Sequence, residues 1–172
     1  FVQNRVIDIA GEGTTLVVAT GANNKSRPGN LLVFDVTNPA KPAWVGAATI
    51  SSGASDGTPA RIRVRGDKVY AATWRKGIQI ASIDGLKAGF VPCCSAAHNQ
   101  MSSSLNNDGG SFNSAAVPTT IDLIDPVTPS TRPWMRDLSV IDVQGETIIA
   151  VATSFGLALA NEAQVNVFYR GL

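Results

Sequence analysis

The sequence predicts an all-β chain assembled from repeated four-stranded antiparallel units. Three observations carry that expectation: one strand-turn-strand pattern recurs three times, its apolar residues alternate with a period of two, and the composition is rich in turn formers. The chain has 172 residues, with 16 Gly and 9 Pro. Charged residues make up only 16%, below the usual quarter, whereas 44% are hydrophobic, enough for a core. A helical bundle would need far more Glu, Lys and Leu in 3.6-residue periodicity.

The first copy reads Ile7-Asp8-Ile9-Ala10-Gly11 and then Leu16-Val17-Val18-Ala19-Thr20. The second reads Ile62-Arg63-Val64-Arg65-Gly66 and then Val69-Tyr70-Ala71-Ala72-Thr73. The third reads Ile141-Asp142-Val143-Gln144-Gly145 and then Ile148-Ile149-Ala150-Val151-Ala152-Thr153. Each is a strand, a tight turn opening with Gly, and a second strand closing in Ala-Thr. Alternation places Ile7 and Ile9 on one face and Asp8 on the other, and separates Ile62 and Val64 from Arg63 and Arg65.

A Gly-led third strand follows in every copy: Leu31–Val36 after Gly29, Ile78–Ile83 after Gly77, and Leu157–Ala160 after Gly156. Fourth strands are expected at Ala43–Ile50 and Val165–Arg170. Four short antiparallel strands per unit is the content of one propeller blade, so the fold expected is a β-propeller-like array of about three blades; a two-sheet β-sandwich is the alternative. The whole of 1–172 reads as one repeat domain, with units at about 1–50, 60–91 and 137–172. A polar insertion at about 89–131 separates the last two, and within it only Thr119–Asp125 reads as a strand. Loops of that length are uncommon in compact domains.

The stretch Gly29-Asn30-Leu31-Leu32-Val33-Phe34-Asp35-Val36-Thr37-Asn38-Pro39-Ala40-Lys41-Pro42-Ala43-Trp44-Val45-Gly46 resembles the LVIVP-type β-propeller repeat, and the likeness extends to about residue 72. That repeat carries an apolar strand, Asp-hydrophobic-Ser/Thr-Asn-Pro, a second Pro and a Val-Gly strand. The other units depart from it, with Ile83-Asp84-Gly85 and Ala160-Asn161-Glu162 where the Asn-Pro turn belongs. The turn has its own physics. Asn38 before Pro39 is driven towards extended backbone, and Pro39 and Pro42 cannot donate to a ladder. Asp35 and Thr37 are suited to hold the turn by local hydrogen bonds. The resemblance implies a secreted or cell-surface protein of bacteria or archaea, acting as an interaction scaffold without a shared catalytic set.

Several function classes lack their signatures. Net charge is +1 and no basic run exceeds two residues, so nucleic-acid binding is not expected. Apolar stretches are far short of a spanning helix. The chain begins at Phe1 without Met, which reads as a processed product, an excised fragment or an incompletely known sequence, with a fragment favoured. Three blades are fewer than the four to eight of closed propellers, so completion by another chain or further sequence is expected, two copies making six. The partner expected is therefore protein, with a homo-oligomer included. No cofactor and no metal site are expected, since the motifs for phosphate, dinucleotide or zinc binding are missing.

The candidates for chemistry are weak. Cys93 and Cys94 are adjacent. Neighbouring Cα atoms lie about 3.8 Å apart, under the usual disulfide span, so a bond between them is strained; free thiols or a bond to another segment are the other readings. His98, the only histidine, shares that loop, but nothing orients it as a Cys/His catalytic pair. Asn106 and Asp108 sit in a glycine-rich loop that offers oxygen ligands without the spacing of a calcium loop. Arg63 and Arg65, with Arg61, Arg75 and Lys76 near, form the one basic concentration and could meet an anionic partner; a charged outer face or a pair with Asp67 is the plainer reading. Trp74, like Trp44 and Trp134, packs in the core or lines a binding rim. No residue is assigned a catalytic role. Scaffold or protein-interaction module is the leading expectation; a fragment of a propeller enzyme with part of its site outside this chain, or a structural subunit of a surface or filament assembly, are the alternatives.

Overall fold

The computed structural model describes residues 5–21, 29–50, 59–74, 77–88, 119–121, 123, 133–162 and 166–170. Among them, the chain forms twelve antiparallel strands and one short helix, so the all-β expectation holds. The strands are β1 (Arg5–Glu12), β2 (Thr15–Gly21), β3 (Asn30–Asp35), β4 (Ala43–Thr49), β5 (Pro59–Arg65), β6 (Lys68–Thr73), β7 (Gly77–Ser82), β8 (Thr119–Ile121), β9 (Met135–Val143), β10 (Glu146–Thr153), β11 (Gly156–Asn161) and β12 (Asn166–Arg170). They make three four-stranded sheets in strict chain order, β1–β4, β5–β8 and β9–β12, here called the first, middle and last sheet.

Each sheet is a meander because short turns join its strands. The three first hairpins close with matching registers: Glu12 opposite Thr15, Arg65 opposite Lys68 and Val143 opposite Glu146. Their two-residue turns differ in where glycine sits. Gly13 and Gly66 take positive φ (58° and 57°) at the first turn position, but the last sheet uses Gln144 (53°) followed by Gly145 (85°). Consecutive positive φ values at both turn positions suit a tight hairpin, and the second here is supplied by Gly145. The turn glycine of the first hairpin is therefore Gly13 and not Gly11, and the repeats are offset from the alignment read off the sequence. By hairpin register, Ile9, Ile62 and Val140 are equivalent, each three residues before the end of its strand.

Two further differences concern the middle sheet. Its fourth strand, β8, comes from the end of the polar insertion, so the unit does not finish near residue 91. The segment expected to continue the third strand through Ile83 instead turns into a helix, α1 (Ile83–Lys87). Ser82 caps it by accepting from the Gly85 N–H, and Ile83 and Leu86 are buried. The turn after β3 is as expected: Asp35 accepts from the Thr37 N–H at 2.8 Å and Asn38 from the Ala40 N–H at 3.1 Å.

Alternation gives the middle sheet two buried faces. Ile62, Val69, Ala71 and Ala81 pack with Val17, Ala19, Leu31 and Val33 of the first sheet, and Leu86 of α1 joins that core. Tyr70, Ala72, Ile78, Ile80 and Ile121 pack with Leu138, Ile149, Val151 and Ala158 of the last sheet. The sheets are thus stacked in chain order, with β5 lying beside both β1 and β9.

Candidate functional site

The basic concentration on β5 faces the last sheet. Arg61, Arg63 and Arg65 are alternate residues, so their side chains share one face. Arg63 meets Asp137 at 3.2 Å and Asp8 at 3.6 Å, and Arg61 meets Asp137 at 3.6 Å. Arg65 Nε donates to Asp142 at 2.8 Å, and its terminal nitrogen donates to the same oxygen. Asp67, the partner weighed from sequence, instead accepts the Ile83 N–H through its backbone carbonyl. The hydrogen bond from Arg65 holds the Asp142 carboxyl below the usual carboxylate range. These arginines tie the middle sheet to its neighbours.

Acidic side chains complete the junctions. Asp8, in β1, accepts from the Ile62 N–H at 2.8 Å, and Glu12 from the Gly66 N–H at 2.8 Å. At the other junction Glu162 accepts from Lys68 at 2.6 Å and from the Tyr70 hydroxyl. Burial pushes the Glu162 pKa up, but the hydrogen bonds from Lys68 and Tyr70 outweigh it and the net direction is down. Burial first, and Glu162 second, push the Tyr70 phenol well above its ordinary value. An open cavity of about 280 Å³ lies beside this cluster, lined by Gly145, Glu146, Thr147, Asn161 and Glu162. None of these acidic partners stood out in the sequence as a site. Asp8 and Asp142 alone carried a visible signal, a charged residue inserted between aliphatics in the first strand of the first and third copies.

The opposite end of the middle sheet carries an aromatic pair. Trp74 and Trp134 stack with centroids 5.6 Å apart and planes 12° from parallel, and Arg136 lies over the Trp134 ring at 5.7 Å. Both indoles are partly open to solvent, so this pair sits on a rim. Trp44 lies elsewhere, donating to the Gly46 carbonyl at 3.0 Å.

The most unusual surface is apolar. Val6 and Ile9 on β1 and Ile141 and Val143 on β9 are exposed. Register places Ile9 with Val18 on the face of the first sheet that points away from the middle sheet. It places Ile141 with Ile148 on the corresponding outward face of the last sheet. Half-buried Phe34 and Trp44 extend the first patch, and half-buried Ala150, Leu157 and Leu159 the second.

His98, Asn106, Asp108, Cys93, Cys94, Asp122, Asp125, Arg75 and Lys76 lie outside the described residues. Among the described residues no group of three metal-ligating side chains occurs, and no helix is long and apolar enough to cross a membrane.

No family model and no curated protein matches the chain. A crystal structure of the computationally designed Ika4 protein is similar at a TM-score of 0.47 and 6% identity, covering 98% of this chain and 73% of that one. A likeness at that level carries no argument about fold or function.

Proposed function

We propose that the chain is a non-enzymatic interaction module: three blade-like units of an incomplete β-propeller, completed by another protein chain. One observation carries this reading. The positions that form the two internal sheet junctions recur on both outer faces of the stack, where they carry exposed Val6, Ile9, Ile141 and Val143. Stacked repeat arrays keep polar residues on terminal faces that meet only water, so aliphatic ends suit a further protein layer. The lateral placing of β1, β5 and β9 supports a propeller-like arrangement around one axis, over a flat sandwich. A secreted or cell-surface scaffold of the LVIVP type is the same reading carried to family and location; the two side-chain-to-backbone hydrogen bonds after β3 support the Asp-Val-Thr-Asn-Pro turn on which that likeness rests.

The test is a photoreactive benzophenone side chain placed at Ile9 or Ile141 in the full chain. The module reading expects covalent protein–protein adducts from both positions. Solvent-quenched products alone, together with turnover of a hydrolase substrate that is lost in His98→Ala, would overturn it.

A further inference from the structure

Resting on the module reading, we infer that the occupant of both outer faces is a second copy of this chain, bound head to tail so that two copies close a ring of six sheets. The internal repeat defines the docking. Going along the chain, each sheet turns one face forward to the next sheet and one face back to the previous one. The forward face carries Val17 and Leu31 in the first sheet and Tyr70 and Ile78 in the middle one. The same parity puts Ala150 and Leu157 on the forward face of the last sheet, where the chain supplies nothing to meet them among its described residues. The backward face carries Val69 and Ala71 in the middle sheet and Ile149 and Val151 in the last. Its counterpart in the first sheet is Leu16 and Val18, which no other sheet among the described residues meets.

The two outer faces are therefore the two halves of a junction that already forms twice within the chain; they are exposed along their first strands at Ile9 and Ile141, whereas Leu32 and Ala47 on the first sheet's outer face are buried among Val18, Phe34 and Trp44. Their inner strands match in character. Glu12 bonds the Gly66 backbone across the first junction, and Arg65 bonds Asp142 across the second. At that forward position the last sheet has Val143, and at the Asp142 position the first sheet has Gly11, so neither of these charged contacts is repeated at the third junction. Exposed Glu146, opposite Val143, is a charge that the last sheet carries on this face, at the place Lys68 holds in the middle sheet. The contact joins different faces, hence it is heterologous, and it ends in a closed body only when the rotation per sheet completes a circle. The first strands β1, β5 and β9 lie side by side, which suits a rotation about one edge of the stack, and six sheets lie within the range of closed propellers.

The experiment uses Ile9→Glu and Ile141→Glu in the full chain, at positions 55% and 46% exposed, where the fold tolerates charge. Circular dichroism verifies folding, and Val6→Glu with Val143→Glu serves as a second pair. Sedimentation velocity is expected to show a two-copy wild type, single copies for each variant alone, and a two-copy species again in a 1:1 mixture of the two variants. The mixture keeps one native junction, so it associates at least tenfold more weakly than wild type. Dissociation by only one of the variants would mean like face against like face and overturn the inference, as would open polymers. A single-copy wild type that still forms adducts with a different protein from Ile141 overturns the second copy while leaving the module reading standing. A single-copy wild type without adducts ends both.

Discussion

Ile9 and Ile62 occupy the same register position in β1 and β5, yet Ile62 is fully buried and Ile9 is 55% exposed. The difference is the neighbouring sheet. The first sheet covers Ile62, and no described part of the chain covers Ile9. Ile62→Ala is expected to lower stability by about 2–5 kcal/mol, the range for truncating a fully buried aliphatic. Ile9→Ala is expected to leave the dilute chain within about 0.5 kcal/mol of wild type. Urea midpoints measured at low protein concentration check both values.

Asp8 holds a backbone donor rather than only a cation. Its carboxylate takes the Ile62 N–H at 2.8 Å where β5 meets β1. Asp8→Ala leaves that N–H without its acceptor and is expected to cost about 1–3 kcal/mol; Asp8→Asn retains an acceptor and costs less. Amide hydrogen exchange at Ile62 is the direct readout, with faster exchange in the alanine variant.

Gly46 marks the close approach of α1 to β4. A Cβ there would lie 2.7 Å from the Leu86 carbonyl oxygen and 3.1 Å from the Lys87 nitrogen, both backbone atoms that cannot rotate away. Gly46→Ala is expected to destabilise by about 1–3 kcal/mol, as overpacking does. A thermal melt unchanged from wild type would contradict this packing.

Acid and alkali should act at the same junction. The Asp142 and Glu162 carboxyls have folded pKa values below their ordinary 3.8 and 4.5. Their contribution is complete above those values and is lost as pH falls through the depressed folded ones. Tyr70 is raised from 10.0, so its contribution is complete below that value and falls as pH rises past it. Melting temperature against pH is expected to drop at both ends. Glu162→Gln flattens the acid limb, and Tyr70→Phe flattens the alkaline one.

The arginine ladder should matter less for stability than its prominence suggests. Arg65 and Asp142 are 43% and 46% exposed, and solvent screens such pairs to about 0–1 kcal/mol. Arg65→Gln is expected to shift stability by no more than that, with the difference shrinking in 1 M salt.

Much of this architecture was legible in the sequence, because period-two alternation and glycine turns are local signals. The strands of the first sheet and the β9–β12 meander fall where the pattern puts them. Register was not legible. Ile141 looks like the partner of Ile62 when the Ile-x-Val-x-Gly motifs are aligned, but the Gln144–Gly145 turn shifts β9 by one residue and turns Ile141 to the opposite face. The α1 helix was hidden in a five-residue segment too short to show a period. The partners of Arg61, Arg63 and Arg65 were hidden because Asp8, Asp137 and Asp142 are separated from them by 50 residues or more. Such pairings follow from stacking, which no local pattern encodes.

The mass of the unmodified chain in solution tests the two-copy ring most directly. Sedimentation equilibrium across a hundredfold range of concentration is expected to give twice 17.9 kDa at the upper end, relaxing to one copy on dilution. A mass of 17.9 kDa at every concentration, with Ile9 and Ile141 open to solvent throughout, would contradict it.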